Sequence, residues 1–142
     1  MDARTVIFVC PHGAGKSRLA AAWFNGVAPP GWWATTAGVS PQSTVSVHAP
    51  RLLAGTRVAH LLDEAPPRPL SAVPTAQVVV AIDCAAGDLP GAVRWQLANG
   101  QFDEAMNAEI RARAEELAGA VGRGDVPPAS PPAAIGRSGP SQ

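Results

Sequence analysis

The fold of this chain is decided by the stretch Thr5-Val-Ile-Phe-Val-Cys10-Pro-His-Gly-Ala-Gly-Lys16-Ser17-Arg-Leu-Ala-Ala-Ala-Trp-Phe24. An apolar strand pattern leads into a loop of small residues, and the loop leads into an amphipathic helix that begins near Ser17, a good N-cap residue. Backbone N–H groups of such a loop and the N-terminus of its helix point toward one place, which favours an anion. The same dipoles stabilise a thiolate, so Cys10 is predicted to be a nucleophile in an oxyanion site.

The composition is that of one domain without a strong charge. The 142 residues have a formal net charge of zero and 15% charged residues, so nothing favours nucleic acid or an anionic membrane surface as a partner. The apolar run at 6–9 is too short for a signal peptide or a membrane span. Two cysteines do not make a disulfide framework, which predicts a reducing, cytoplasmic setting. No spacing of His, Cys and Asp indicates a metal site, and no cofactor is expected.

Strand and helix patterns alternate along residues 1–121, which predicts an α/β domain with a mainly parallel sheet. The predicted strands are Thr5–Val9, Trp32–Ala37, Gln77–Ile82 and Ala92–Leu97. The predicted helices are one that starts near Ser17, a short one within Ser46–Leu53 and a long one within Phe102–Val121. In residues 122–142, Gly, Pro, Ser and Ala dominate and the periodicity is lost, which predicts a disordered tail.

Counted from Cys10, the loop reads cysteine, five residues, Lys16 and Ser17. It resembles the loop of the low-molecular-weight protein tyrosine phosphatases and the related arsenate reductases, which carry cysteine, five residues, arginine and then Ser or Thr after a first strand. His12 matches a histidine found in many arsenate-reductase-like members. A second similarity is Thr36-Ala37-Gly38 after the second strand, where the family commonly has Ser/Thr-Ala-Gly.

The resemblance covers roughly residues 4–121 and implies a three-layer α/β/α domain with a four-stranded parallel sheet, low-molecular-weight phosphatase-like in fold. It implies that the Cys10 thiolate attacks a phosphoryl or arsenate centre, that Lys16 holds the oxyanion and that Ser17 assists the departing thiolate. The implied substrate-binding residues are those of the whole loop: Pro11, His12, Gly13, Ala14, Gly15, Lys16 and Ser17. The implied partner is a small phosphorylated substrate, a phosphoprotein or a free oxyanion.

Lys16 departs from the family's pattern, which has arginine at this position. Arginine holds two oxygens of a phosphoryl group in a planar fork, whereas lysine offers a point charge. Loss of one charge-assisted contact lowers transition-state stabilisation by about 2–4 kcal/mol. Transition-state stabilisation is therefore expected to be weaker than in the family. The lack of an obvious general acid, described next, predicts slow turnover or a substrate with a good leaving group.

The general acid is the second departure, because the family's Asp-Pro pair occurs nowhere in the chain. Asp103 is the candidate in its place, since it lies in the region that follows the fourth predicted strand. Asp103 also precedes an apolar-periodic run with Glu104 in its first turn, which is typical of a helix cap. The cap interpretation has the stronger local signal.

Two other functions fit the same loop. With Cys10 in place of the first glycine, it approaches a Walker A motif, and the segment 78–83 resembles a Walker B strand that ends in an acid. A catalytically silent oxyanion-binding module, used for regulation or as an accessory, is favoured by both departures from the family's pattern. The phosphatase-like interpretation is preferred, because only that family explains Thr36-Ala37-Gly38.

Cys84 follows the third predicted strand, so it is expected at the same edge of the sheet as Cys10. In thioredoxin-coupled arsenate reductases a second cysteine in this region attacks the first. The resemblance therefore implies resolution through Cys84, or by a low-molecular-weight thiol or a thioredoxin-like reductant. The alternative, and the preferred one, is a small buried hydrophobe. His48 and His60 are expected to be surface or helix-packing residues.

Overall fold

The computed structural model describes residues 4–42, 44, 46–72, 76–85, 89, 91–98 and 100–125. Its strands are β1 (Arg4–Cys10), β2 (Trp32–Gly38), β3 (Val78–Ile82) and β4 (Val93–Trp95), each within two residues of its predicted bounds. Its α-helices are α1 (Lys16–Gly26), α2 (His48–Leu53) and α3 (Glu104–Gly122), and two short 3-10 helices cover Ala59–Leu61 and Leu70–Ala72.

The four strands form one parallel sheet in the order β2-β1-β3-β4. In this register Cys10 lies opposite Gly38 on β2, and Val9 lies opposite Ala81 on β3. All strands therefore end at the same edge, where β1 and β3 occupy the centre of the sheet. The predicted four-stranded parallel sheet is confirmed, and its carboxyl edge is where ligands of such sheets bind.

The core divides between the two faces of the sheet because successive side chains of β1 point to opposite sides. Phe8 and Cys10 belong to the larger cluster, which the buried sides of α1, α2 and α3 complete. Ile7 and Val9 belong to a smaller cluster on the other face, where Leu70 packs against them. In the described part of the chain this second face is covered by a 3-10 turn and loops, a thinner layer than the three helices opposite.

The end of α3 extends the ordered domain slightly past the predicted boundary. Gly122 is still helical, and the N–H groups of Arg123 and Gly124 donate to the last carbonyls of the helix. Residue 122 of the predicted tail thus belongs to α3, residues 123–125 follow it directly, and residues 126–142 lie outside the described residues. Within the described residues, no helix has the length and hydrophobicity needed to cross a membrane.

Candidate active site

The loop between β1 and α1 is held against the chain that leaves β2. The N–H groups of residues 39, 40, 42 and 46 donate to the carbonyls of residues 10, 11, 12 and 14, at 2.8–3.3 Å. Gly13 (φ 65°) lies so close to the end of β2 that a Cβ on it would stand 2.7 Å from the Gly38 nitrogen. A Cβ on Gly38 would likewise stand 2.6 Å from the His12 carbonyl carbon. Glycine at both positions is therefore a steric requirement of the loop.

Cys10 and Ser17 form the base of the site. Both residues are buried, and the Cys10 thiol donates to Ser17 Oγ across 3.3 Å. When the thiol is ionised, the same hydroxyl can turn and donate to the thiolate. The prediction that Ser17 is the N-cap is wrong, because α1 begins at Lys16 and its N-cap, Gly15, has no side chain to cap with. The Ser17 hydroxyl instead forms a hydrogen bond with the Cys10 thiol.

A cavity of about 520 Å³ opens above Cys10. It is lined by Cys10, Pro11, His12, Ala14, Gly15, Lys16, Gln42, Ser46, Val47, His48, Gly100 and Phe102. Five of the seven predicted substrate-binding residues thus line the cavity, whereas Gly13 and Ser17 do not. Among the described residues, no protein acceptor takes a hydrogen bond from the N–H groups of residues 12–16. These donors remain available to an anion.

Lys16 is fixed by an ion pair that sequence reasoning missed. Its Nζ lies 2.8 Å from Asp83 Oδ2, and both side chains are less than one-fifth exposed. Asp83 follows β3 in a left-handed conformation (φ 53°), and its Oδ1 accepts from the Leu97 N–H at 2.9 Å. The contact between Lys16 and Asp83 follows from the parallel register of β1 and β3, which the sequence alone does not give. The carboxylate that resembled a Walker B acid therefore neutralises the loop lysine.

A buried arginine supports the loop from below. The Arg18 side chain is 1% exposed, its Nε donates to the Gly13 carbonyl at 2.9 Å, and a second nitrogen donates to the Asp63 carbonyl. Burial lowers the pKa of Arg18, and the nearby Asp63 charge partly offsets this effect. The residue remains a cation at neutral pH. Sequence reasoning missed it, because its position resembles an exposed site in the first turn of a helix.

Asp63 is the counterion of two arginines. Its Oδ2 lies 2.8 Å from Arg68, and its Oδ1 lies 3.9 Å from Arg18. Burial by itself would raise the pKa of Asp63. Hydrogen bonds from Arg68 and from the Ala65 N–H outweigh this effect, together with the charges of Arg68 and Arg18, and they hold the pKa below its ordinary value. The ionised carboxylate therefore fixes Arg18 beneath the loop.

Asp103 is the N-cap of α3. Its side chain accepts from the Met106 N–H at 3.0 Å. The neighbouring residue Phe102 lines the cavity, whereas Asp103 itself does not. The cap interpretation of the sequence fits this geometry, and the structure gives no support to a role for Asp103 as general acid.

Cys84 lies apart from Cys10. Its Sγ approaches the carbonyl oxygens of Val9 and Ile82 at 3.6 and 3.7 Å, and it belongs to the small cluster on the face of the sheet opposite Cys10. Neither cysteine forms a disulfide. The two thiols share an edge of the sheet, as predicted, but not a face. This arrangement favours the interpretation of Cys84 as a small buried hydrophobe.

Two histidines belong to the cavity wall. His12 was expected there, and its Nδ1 lies 3.4 Å from the Ser40 carbonyl oxygen. His48 was expected to be a surface or packing residue, but it lines the cavity and stacks on Phe102 with ring centroids 5.1 Å apart. The apparent surface position of His48 on a short helix hid this role. No cluster of metal-binding side chains occurs within the described ranges.

No family model matches the chain, and no curated protein matches it. Solved structures do match. An arsenate reductase from Archaeoglobus fulgidus DSM 4304 is 29% identical, with a TM-score of 0.62, and the match covers 80% of this chain and 98% of that one. A thioredoxin-dependent arsenate reductase from Corynebacterium glutamicum is 24% identical (TM-score 0.68), with 87% of this chain covered but only 64% of that chain.

A low-molecular-weight protein tyrosine phosphatase from T. tengcongensis shares the fold at 18% identity and a TM-score of 0.57, with 81% of this chain and 97% of that chain covered. The three structures are thus two arsenate reductases and one tyrosine phosphatase. The likeness in fold agrees with the position of the cysteine loop at the end of β1. The chain therefore has the fold of the low-molecular-weight protein tyrosine phosphatases and arsenate reductases, and it resembles a divergent member of that family.

Proposed function

We propose that the chain is a cysteine-dependent enzyme that acts on a phosphate monoester or on arsenate. The observation that carries the proposal is the placement of Cys10 at the base of the cavity. There its thiol lies 3.3 Å from the Ser17 hydroxyl, beneath loop N–H groups that have no acceptor among the described residues. Such donors bind the oxygens of a tetrahedral anion while the thiolate attacks its centre.

For a phosphate monoester, the Cys10 thiolate attacks phosphorus and the bond to the leaving oxygen breaks. The loop N–H groups and Lys16 hold the remaining oxygens, and a covalent thiophosphate forms. Water then attacks phosphorus, the sulfur leaves as a thiolate, and the Ser17 hydroxyl stabilises it by donating a hydrogen bond. Substrates of this class range from small phosphorylated molecules to phosphoproteins.

For arsenate, the Cys10 thiolate displaces hydroxide from arsenic and forms a thioarsenate. A second thiol then attacks the Cys10 sulfur, so that the two sulfurs become a disulfide while As(V) is reduced to arsenite. The position of Cys84 across the sheet favours an external thiol, either a low-molecular-weight thiol or a thioredoxin-like reductant. A reducing compartment such as the cytoplasm supplies such thiols.

Turnover of p-nitrophenyl phosphate from pH 5 to 8 tests the phosphatase step. The leaving group of this substrate needs little protonation, so a weak general acid does not hide activity. We expect turnover by the wild type, none by Cys10→Ser, and faster turnover by Lys16→Arg, because the guanidinium can hold two oxygens at once. Activity retained by Cys10→Ser would falsify the mechanism. Arsenate reduction is assayed in parallel with glutathione and with thioredoxin as the thiol.

A second candidate function is a catalytically silent oxyanion-binding module. The ion pair between Lys16 and Asp83 favours it, because it engages the loop cation with a carboxylate. This candidate predicts that inorganic phosphate binds in calorimetry while p-nitrophenyl phosphate and arsenate are not turned over. Cysteine-dependent turnover of either compound rules it out.

A further inference from the structure

The cavity needs a group that gives a proton to the leaving oxygen. Among the described lining residues none is an Asp or a Glu, and the side chains that exchange protons are Cys10, His12, Lys16 and His48. Cys10 is the nucleophile, and the ammonium of Lys16 is bound to the Asp83 carboxylate at 2.8 Å. The two histidines remain. Imidazole is also the side chain whose charge ordinarily changes between pH 5 and 8.

His48 is bound to an arginine through one of its two ring nitrogens. Its Nδ1 lies 3.1 Å from a guanidinium nitrogen of Arg51, which also donates to the Phe102 carbonyl. Because a guanidinium only donates hydrogen bonds, Nδ1 must accept, and the single proton of the ring is on Nε2. Protonation of Nδ1 would break this bond and place two cations in contact. The Nδ1 atom of His48 is therefore occupied by Arg51.

His12 has the opposite arrangement. Its Nδ1 faces the Ser40 carbonyl oxygen at 3.4 Å, and a carbonyl oxygen only accepts. Nδ1 therefore carries a proton in both charge states of the ring, and Nε2 is the atom that gains and loses one. The Ser40 N–H donates to the Pro11 carbonyl, and the Gln42 N–H donates to the His12 carbonyl. These bonds fix the histidine relative to its partner.

His12 shares the cavity with two groups that can carry a charge, Cys10 and Lys16. The Cys10 thiolate, in the same cavity, attracts an imidazolium. The charge of Lys16 is balanced by Asp83, so it opposes that cation only weakly. On the other wall, Arg51, the partner of His48, is exposed to solvent, which screens the Arg51 charge.

We propose that His12 is the general acid and base of this site, an inference that rests on the proposed function. In the first step the Cys10 thiolate forms the bond to phosphorus as the phosphorus–oxygen bond breaks, and the leaving oxygen takes the proton from Nε2 of the His12 imidazolium. In the second step Nε2 takes a proton from the attacking water, and the Cys10 sulfur leaves as a thiolate. Each turnover restores both groups.

The test compares two substrates that differ in their need for an acid. Phenyl phosphate has a leaving group that must be protonated, whereas the 2,4-dinitrophenolate of dinitrophenyl phosphate leaves unaided. The measured quantity is kcat/KM from pH 5 to 8, since it reports the step that expels the leaving group. The proteins are the wild type, His12→Gln, His48→Gln, Cys10→Ser, and His60→Gln as a matched control, because His60 is an exposed histidine outside the cavity.

We expect His12→Gln to lower kcat/KM for phenyl phosphate about 100-fold and for 2,4-dinitrophenyl phosphate less than about threefold. For phenyl phosphate, kcat/KM of His12→Gln should also depend less on pH than that of the wild type, because the variant lacks a side chain that can donate the proton. His48→Gln and His60→Gln should keep the wild-type ratio between the two substrates.

Equal losses on both substrates in His12→Gln, or no loss on either, overturn the assignment. So does a selective loss on phenyl phosphate in His48→Gln. These outcomes leave the proposed function intact as long as turnover of 2,4-dinitrophenyl phosphate depends on Cys10. Absence of Cys10-dependent turnover of 2,4-dinitrophenyl phosphate by the wild type overturns the proposed function and this inference together.

Discussion

The interpretation of Lys16 differs between the sequence and the structure. In the sequence it is a lysine where the family has arginine. In the structure its charge is held at 2.8 Å by Asp83, whose second oxygen is bound to the Leu97 N–H. A carboxylate this close to the loop opposes the binding of an oxyanion, because like charges repel strongly in a partly buried site.

Asp83→Asn removes this charge and keeps the geometry, because asparagine tolerates the positive φ and its Oδ1 can still accept from the Leu97 N–H. We expect the variant to bind inorganic phosphate about tenfold more tightly, which corresponds to about 1.4 kcal/mol. Calorimetric titration with phosphate measures the change, with Lys16→Met as the control that should weaken binding. Weaker binding by Asp83→Asn would mean that the carboxylate aims Lys16 at the ligand.

The residues proposed to act on the anion directly were the ones that the sequence could identify. Cys10, His12 and Lys16 lie within one continuous motif, where neighbours in sequence are neighbours in space. Asp83 and His48 reach the site only through the register of β3 and the placement of α2. Contacts between distant segments leave no pattern in a single sequence.

At the level of elements, apolar patterning predicted every strand because a buried strand between two covered faces must be apolar. The ends of helices were less predictable, because they depend on which partner a polar side chain finds. Ser17 faces a thiol and does not cap α1, whereas Asp103 caps α3 as its local pattern indicated. Gly122, predicted to begin the tail, lies in α3, and a Cβ added to it would stand 3.4 Å from Pro29 Cβ.

Substitutions of Asp103 distinguish a cap from a catalytic acid. Asp103→Ala should lower the free energy of unfolding by about 1 kcal/mol, because the Met106 N–H loses its acceptor. Asp103→Asn should retain most of this stability, since asparagine is an equally good N-cap. Urea denaturation measures both effects, and kcat/KM for phenyl phosphate is measured beside it. A loss of kcat/KM in Asp103→Asn with unchanged stability would identify Asp103 as the acid and contradict its role as a cap.

At the scale of the whole molecule, a network of charged side chains connects the loop after β1 to strand β2. Arg18 lies under the loop, Asp63 follows the first 3-10 helix, and Arg68 reaches Thr36 on β2 with bonds of 3.0 Å. Because Arg18 is fully buried, its counterion stabilises the fold and the loop together.

The stability of the protein should therefore depend on pH through Asp63. Its pKa is lowered in the folded state, so its contribution is fully present above the unfolded value of about 3.9 and is lost as the pH falls through the folded pKa. Asp63→Asn should lower the free energy of unfolding at pH 7 by about 1–3 kcal/mol, because a buried guanidinium loses its charged partner. The difference from the wild type should shrink below pH 4. A difference that stays constant between pH 7 and pH 3 in urea denaturation would contradict this role.

The contact between Gly13 and Gly38 limits which substitutions this protein can tolerate at these two positions. There is no space for even one methyl group where the loop crosses the end of β2. The backbones at Gly13 and Gly38 therefore hold each other in place without a ligand. Position 38 never needs to touch a substrate to govern the chemistry. A methyl group at residue 38 would displace the proposed anion-binding loop from behind, although residue 38 lies outside the cavity lining.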